Sequence, residues 1–236
     1  MKKMRNILLI LILFTTGIFS CKQSTKSTTS KAKTEITYST KKSQNKETFK
    51  SKDIYSKFEY LDNKDKSIII QNGLPRGGMK YTDSKGEVYN YAIFWTDIIN
   101  ETDKSLELNL DIPLNSFEVP SFPGKYYEVL IPADTMTIEK FTEYLYGLKN
   151  LESFLDENIH KPSSSKRIIN PQQSTAFYFV ILCLTEGAHG TMRTSLSLKG
   201  ENLLYNIKID GSNSNTNYNE KEIKFGNINL KNLRIK

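Results

Sequence analysis

The stretch TMRTSLSLKGENLLYNIKID, residues 191–210, decides the fold. Apolar and polar residues alternate on both sides of the short polar segment Lys199-Gly200-Glu201-Asn202. A period of two is typical of a strand with one buried face, and a glycine-containing segment between two such runs indicates a tight turn. We therefore predict a β-hairpin. The residues expected to face inward are Met192, Leu196, Leu198, Leu203, Tyr205, Ile207 and Ile209.

Other segments extend this β pattern along the chain. SLELNLDIP (105–113) alternates in the same way, and SIIIQ (67–71) and YYEVLI (126–131) predict two more strands. VYNYAIFWTDII (88–99) and AFYFVILCL (176–184) are apolar on both faces, which is typical of central strands covered on both sides. In EIKFGNINL the apolar phase shifts across Gly226, which predicts a β-bulge. About eight strands without a βαβ rhythm favour a two-sheet sandwich.

One region has a different period. Between residues 137 and 160, the apolar residues of TIEKFTEYLYGLKNLESFLDENIHK approach helical spacing. Gly147 is expected to divide two short helices, and Lys161-Pro162 to end the second. GLPRGGMK (73–80) has three glycines but no phosphate-loop signature, so we expect a connection between strands there. The fold class predicted is mainly β, a sandwich with a short helical insertion at about residues 137–160.

Two segments are similar to a pattern found in bacterial immunoglobulin-like modules. In FWTDIINETDKSLELNLDIP, a strand ends in a polar turn and the next strand alternates, and IINPQQSTAFYFVIL leads from a proline turn into an apolar strand. The resemblance covers about forty residues. It implies an immunoglobulin-like strand arrangement and nothing about function, because such folds host many activities.

The N-terminus predicts export. Lys2, Lys3 and Arg5 precede an apolar run, residues 7–14, that is shorter than the roughly 20 residues of a membrane-spanning helix. The following Ile18-Phe19-Ser20-Cys21 resembles the lipobox of bacterial lipoproteins, although Phe19 stands where small residues are usual.

The lipobox resemblance implies a specific anchor. Residues 1–20 would be removed as a signal peptide, and Cys21 would become the N-terminus, carrying a diacylglyceryl group and an amide-linked fatty acid such as palmitate. The partner implied is membrane lipid. Lys22 follows Cys21 in place of the aspartate associated with inner-membrane retention, so the outer membrane is the expected location. The alternative is an uncleaved signal anchor that happens to precede a cysteine.

Residues 21–52 predict a disordered tether rich in Ser, Thr and Lys. Residues 22–52 hold nine lysines, two glutamates and few aliphatic side chains, too little apolar surface to offset the entropy of ordering. The chain has a net charge of +7, but residues 53–236 contain 21 basic and 24 acidic residues. Because the basic character belongs to the leader and tether, we expect no nucleic-acid binding by the folded domain, residues 53–236.

Catalytic motifs are not evident in the sequence. His160 stands near a predicted helix end, where a capping or surface role is expected, and His189 lies in a glycine-flanked turn. Cys183 falls in a buried strand and no G-x-S-x-G motif is present. We therefore expect no enzymatic activity, no metal site and no cofactor. Asp134-Thr135-Met136 resembles a short bacterial O-glycosylation acceptor, so Thr135 is a candidate for modification.

The remaining candidate is a surface loop. PLNSFEVPSFPGKYY (113–127) carries Phe117, Phe122 and Tyr126, which could form a recognition loop or could cover one end of the core. The function expected is that of an envelope lipoprotein that binds an envelope protein or a glycan, or serves a structural role. An envelope hydrolase with a dispersed site and a protease-inhibitor-like module are the alternatives.

Overall fold

A computed structural model describes residues 49–119, 123–187, 190–210 and 219–230, all within one unit that covers residues 46–236. The predicted signal peptide, Cys21 and nearly all of the predicted tether lie outside the described residues, as do Phe122 and His189. None of the helices in the described ranges has the length and apolar character needed to cross a membrane.

The protein is mainly β. The described residues form thirteen strands in two antiparallel sheets. The first sheet contains β1 (Ile54–Leu61), β2 (Ser67–Gly73), β3 (Arg76–Thr82), β4 (Val88–Asn100), β6 (Phe117–Glu118), β7 (Tyr126–Leu130), β8 (Thr135–Met136) and β10 (Gln173–Leu184). The second contains β5 (Leu106–Ile112), β9 (Ser163–Ile169), β11 (Thr191–Lys199), β12 (Asn202–Asp210) and β13 (Asn219–Asn229).

The strand orders follow from these pairings. In the first sheet the order is β1-β2-β4-β10-β7-β6, with β3 also pairing with β4 and β8 with β10. In the second sheet it is β11-β12-β13-β5-β9. The predicted hairpin is confirmed, since β11 and β12 pair from Thr191↔Asp210 to Lys199↔Asn202. Its inward residues Leu196, Leu203, Tyr205 and Ile207 are fully buried.

Strands β4 and β10 are apolar on both faces because both faces are covered. One face, including Phe94, Phe177 and Phe179, packs against the inward residues of the second sheet. The opposite face, including Trp95 and Tyr178, packs under the segment between β8 and β9. The prediction of two central strands covered on both sides is confirmed.

The segment between β8 and β9 is helical only in part. Glu139–Thr142 and Tyr144–Gly147 are 3-10 turns, and Leu151–Asn158 forms the α-helix α1. The expected first helix does not form because Leu145 and Tyr146 adopt positive φ, which interrupts a helix. Leu151 and Leu155 of α1 are buried against the first sheet.

Several strands lie where the sequence predicts none. The glycine-rich segment interpreted as a connection is strand β3, which pairs with β4 from Arg76↔Ile93 to Thr82↔Val88 with a register shift at Gly77/Met79. Strand β1 lies at one end of the first sheet, and β9 lies at one end of the second. The apolar alternation is weak there because polar residues occupy less exposed positions and apolar residues occupy exposed ones. The former are Ser56, Ser163, Ser165 and Arg167, and the latter are Leu61 and Ile168.

Side chains of the first sheet form hydrogen bonds with the backbone of β11, the edge strand of the second sheet. The amide of Asn72 bonds both backbone groups of Leu196 on the edge strand β11: its Oδ1 accepts from the N–H over 2.8 Å and its Nδ2 donates to the carbonyl over 3.1 Å. The hydroxyl of Tyr60 accepts from the backbone N–H of Leu198 over 2.7 Å. The two sheets are therefore joined by hydrogen bonds as well as by the apolar core.

The predicted bulge at Gly226 is confirmed. Leu203 pairs with Gly226 and Leu204 with Lys224, so Phe225 is the extra residue of β13. Gly226 has φ +143° and lies against the backbone of β5. The bulge lets Phe225 and Ile228 both reach the core between the sheets.

Candidate functional site

A groove of about 610 Å³ lies at one end of the first sheet. Its walls come from the end of β4, the start of β10 and the segment after β8. The lining side chains are mostly hydroxyls, amides and carboxylates, among them Glu101, Thr137, Glu139, Gln172 and Ser174. Phe49 adds an aromatic wall, because its ring stacks on Trp95 with the ring centroids 4.1 Å apart.

The groove runs beside a strand segment that has one ladder partner. Gln173, Ser174 and Thr175 of β10 pair with the end of β4. On the other side of β10, β8 pairs with Ala176 and Phe177, and β7 with Val180–Leu182. Within the described residues, no strand continues this ladder alongside residues 173–175. The backbone N–H of Gln173 donates to the carbonyl of Asn170 over 3.1 Å, so an extended chain lying in the groove would meet an edge that is open in part.

The residues of the predicted recognition loop are not brought together as one exposed surface. Phe117 is 2% exposed and packs against Tyr127 in the core between the sheets, so its ring covers the core, as the alternative interpretation held. Tyr126 is 38% exposed and available to a ligand. Phe122 lies outside the described residues. A binding role for the loop stays a prediction that depends on Tyr126 and Phe122.

A cluster of ionisable side chains occupies the opposite end of the sheet. Asp83 and Glu87 stand in the turn between β3 and β4, Glu128 is on β7, and His160 follows α1. Tyr89, beside the cluster, and Asp97, in the groove, are eight residues apart on β4, roughly 26 Å along the strand. The groove and the cluster are therefore two separate sites.

His160 is fixed by Glu128 on one side. Its Nδ1 lies 2.5 Å from Oε1 of Glu128, and its backbone N–H donates to Oε2 over 2.7 Å. With Glu128 bound to Nδ1, the second ring nitrogen, Nε2, faces the β3–β4 turn. There it lies 3.9 Å from Oδ2 of Asp83 and 3.4 Å from the hydroxyl of Tyr89. His160 follows the C-cap residue Ile159 with a φ of +64°, a conformation in which helices commonly end, but its partly exposed side chain bonds Glu128 instead of a carbonyl of α1.

Two tyrosines border the cluster as neutral hydrogen-bond donors. The hydroxyl of Tyr89 donates to Oε2 of Glu87 over 2.8 Å, and that of Tyr81 donates to Oδ1 of Asp156 over 2.6 Å. Burial, then the bond to Glu87 and the nearby carboxylates, raises the pKa of Tyr89 well above its usual range. Burial and Asp156 have the same effect on the pKa of Tyr81.

This cluster was not predicted from the sequence. Asp83, Glu87 and His160 offer three ligand atoms within 4.8 Å of one another, an arrangement that could hold a metal ion. The signal in the sequence was the spacing of an Asp and a Glu around Gly86 in TDSKGE, which places both carboxylates at one end of a hairpin. Glu128 and His160 are 41 and 73 residues beyond Glu87, so only the tertiary fold shows that they meet it.

Two further candidate residues have defined surroundings. Cys183 is buried, and burial raises the pKa of its thiol to about 11, so it is held as an unreactive thiol at neutral pH. Thr135 lies in β8, and its exposed side chain accepts a hydrogen bond from Nη1 of Arg167 over 3.1 Å. Modification of Thr135 stays a prediction.

The comparisons with known proteins add no assignment. No protein-family model matches the chain, and neither a curated protein nor a solved structure matches it.

Proposed function

We propose that this chain is an exported, lipid-anchored envelope protein whose folded domain is a non-enzymatic binding module for an extended segment of another envelope protein. The observation that carries the binding proposal is the 610 Å³ groove beside residues 173–175 of β10, which have a strand partner on one side only in the part of the chain that the structure describes. An extended peptide can add a strand at such an edge, where backbone hydrogen bonds give affinity and alternate side chains give selectivity.

The charges of the groove favour one kind of partner. Glu101 and Glu139 are exposed in its lining, and residues 53–236 carry three more acidic than basic side chains. A basic or neutral polypeptide suits these charges, whereas the phosphates of nucleic acid would be repelled. The edge strand β11 is a poorer docking site, because Asn72 and Tyr60 already bond its backbone groups.

Two other functions, glycan binding and hydrolysis, are also supported by features of the structure. The hydroxyl and amide groups of the groove, with the ring of Phe49, would also suit a glycan. An envelope hydrolase would need a site with convergent carboxylates, which the His160 cluster provides at the other end of the sheet. The protease-inhibitor-like module rests on fold analogy alone.

The placement and the fold family are also proposals. The lipobox-like residues ending at Cys21 support anchoring by acyl chains, with the outer membrane as the expected site. Two antiparallel sheets around a shared core support an immunoglobulin-like arrangement. Among the described strands the chain changes sheet five times, at β4–β5, β5–β6, β8–β9, β9–β10 and β10–β11, and connections between sheets are typical of Greek-key sandwiches.

Photo-crosslinking in cells tests the groove. A photoreactive amino acid at Thr175 should give a discrete protein adduct, because residue 175 faces the proposed peptide. The matched control is the same amino acid at Glu222, which is exposed on β13 of the other sheet. The double charge reversal Glu101→Arg with Glu139→Arg should reduce the Thr175 adduct at least tenfold by repelling a basic segment.

Three results would contradict the groove proposal. They are equal adduct yields from positions 175 and 222, a Thr175 adduct that is insensitive to the charge reversal, and an adduct that proves to be glycan.

A further inference from the structure

We propose that Asp83, Glu87 and His160 bind one divalent transition-metal ion, with Zn²⁺ as the best fit. This site lies at the end of the first sheet away from the groove and does not depend on the binding function proposed for the groove. The donors are Oδ2 of Asp83, a carboxylate oxygen of Glu87 and Nε2 of His160, all within 4.8 Å of one another.

The buried carboxylate of Asp83 is the first reason. Its side chain is 3% exposed. Oδ1 accepts the backbone N–H groups of Lys85 and Glu87 over 2.9 and 2.8 Å, which holds the carboxylate in place. Within the described residues, Oδ2 accepts no hydrogen bond and faces Nε2 of His160 across 3.9 Å. A carboxylate on a side chain this deeply buried is stable only when its charge is paired, and a cation at this point would pair it.

The orientation of His160 is the second reason. Glu128, whose side chain is 11% exposed, binds the Nδ1 side of the ring and the backbone N–H of the same residue. Metal-binding histidines commonly donate their other ring N–H to a carboxylate, which fixes the ring and makes the free nitrogen a better ligand. Glu128 thus has the position of a supporting carboxylate, with Nε2 aimed at Asp83.

Glu87 supplies the third donor from the exposed side. Its Oε2 accepts from the hydroxyl of Tyr89, which leaves Oε1 for a cation. Two ligands of one zinc ion at about 2.0–2.2 Å lie roughly 3–3.5 Å apart, so the 3.9 Å between Asp83 and His160 needs to shorten by about half an ångström. The exposed side chain of Glu87 can adjust by rotation.

The donor set indicates the class of metal. Imidazole selects for Zn²⁺ and other late transition ions, whereas Ca²⁺ and Mg²⁺ prefer oxygen ligands throughout. Three protein ligands leave at least one position for water or a ligand from outside, as in zinc sites that are not closed. The ion would link the β3–β4 turn to His160 in the segment after α1. The bond between His160 and Glu128 already links that segment to β7.

Metal binding by the full-length chain in detergent tests the proposal. The protein should carry no polyhistidine tag, and it should first be freed of metal by chelator dialysis. ZnCl₂ titrated against a chromophoric chelator should then show one Zn²⁺ per chain, and CoCl₂ should give visible absorption bands of a bound ion. Cys183 does not compete because its thiol is buried.

Substitutions assign the ligands. Glu87→Gln should weaken Zn²⁺ binding at least tenfold, and because this side chain is exposed, the fold should be preserved. His160→Gln should abolish binding, and Glu128→Gln should weaken it by about 10- to 100-fold. The chain has two histidines, so His189→Gln is the matched control and should leave the affinity unchanged.

The proposal is overturned if no zinc binds at tenfold molar excess, or if His160→Gln binds as tightly as the unmodified chain. Retained affinity in Glu87→Gln would remove Glu87 from the site even if His160→Gln does not fold. A preference for Ca²⁺ or Mg²⁺ over Zn²⁺ would also contradict it, because the imidazole would then have no role.

Discussion

Replacing Asn72 with alanine should lower the free energy of unfolding by about 3–5 kcal/mol. Asn72 is 2% exposed, and its side chain bonds both backbone groups of Leu196 in the other sheet. Its Oδ1 also accepts from the hydroxyl of Thr96 over 2.9 Å. Alanine would leave these buried groups without partners, and each would then cost about 1–3 kcal/mol.

Chemical denaturation monitored by tryptophan fluorescence measures this loss, since Trp95 is the single tryptophan and is fully buried. The matched control is Asn206→Ala on β12, which removes an exposed hydrogen bond to Glu220. We expect the control to change stability by no more than about 0.5 kcal/mol. A loss below about 1 kcal/mol for Asn72→Ala would show that its side chain does not join the sheets.

The second large effect is expected at Gly226. A Cβ added at this residue would lie 2.0 Å from the backbone oxygen of Asn109 on β5, and the φ of +143° is strained for any residue with a side chain. The carbonyl belongs to a paired strand and cannot move aside easily. Gly226→Ala should therefore destabilise the protein by about 3–5 kcal/mol, or prevent folding.

Gly200→Ala distinguishes the two causes of destabilisation at Gly226, which are the clash with the backbone oxygen of Asn109 and the strain of positive φ. Gly200 also has positive φ, +61°, but no atom lies within 4 Å of the Cβ that alanine would add. Its substitution should cost only about 1 kcal/mol, from backbone strain alone. The same denaturation experiment compares the two variants. Equal losses would mean that the contact with Asn109 is not the main cause at Gly226.

The local pattern of apolar and polar residues was enough to predict two kinds of strand. One kind has an apolar and a polar face, and the other is apolar on both faces. The hairpin of β11 and β12 followed from alternation around Gly200, and the central position of β4 and β10 followed from apolar residues on both faces. The Gly226 bulge followed from a phase shift that no regular strand can accommodate. In each case the information lies within about twenty consecutive residues.

What the sequence did not predict depends on distant contacts. Strand β3 carries Gly77 because its backbone lies close to that of β4, where a Cβ would be 2.4 Å from Cα of Ala92. Gly78 has a φ of +82° at the register shift. The expected helix before Gly147 gives way to 3-10 turns, since Leu145 and Tyr146 are held against the sheet at positive φ. Tertiary packing overrides local propensity at both places.

The candidate sites were the least predictable part. Asp83 and Glu87 lie in a turn that Oδ1 of Asp83 organises, so local sequence indicates only a structural role for them. Their second role depends on Glu128 and His160, which approach from other elements. The groove could not be predicted either, because it combines the ends of two strands with a segment about forty residues from each.

Acylation of Cys21 decides whether the folded domain works at a membrane surface. The most direct measurement is the intact mass of the mature chain purified from membranes, with Cys21→Ser as the comparison. We predict a chain that begins at Cys21 and carries the added mass of its acyl groups, and a Cys21→Ser chain that is unlipidated and recovered in the soluble fraction. A mature chain that begins at another residue, or an unmodified Cys21, would contradict the lipid-anchored function proposed for this protein.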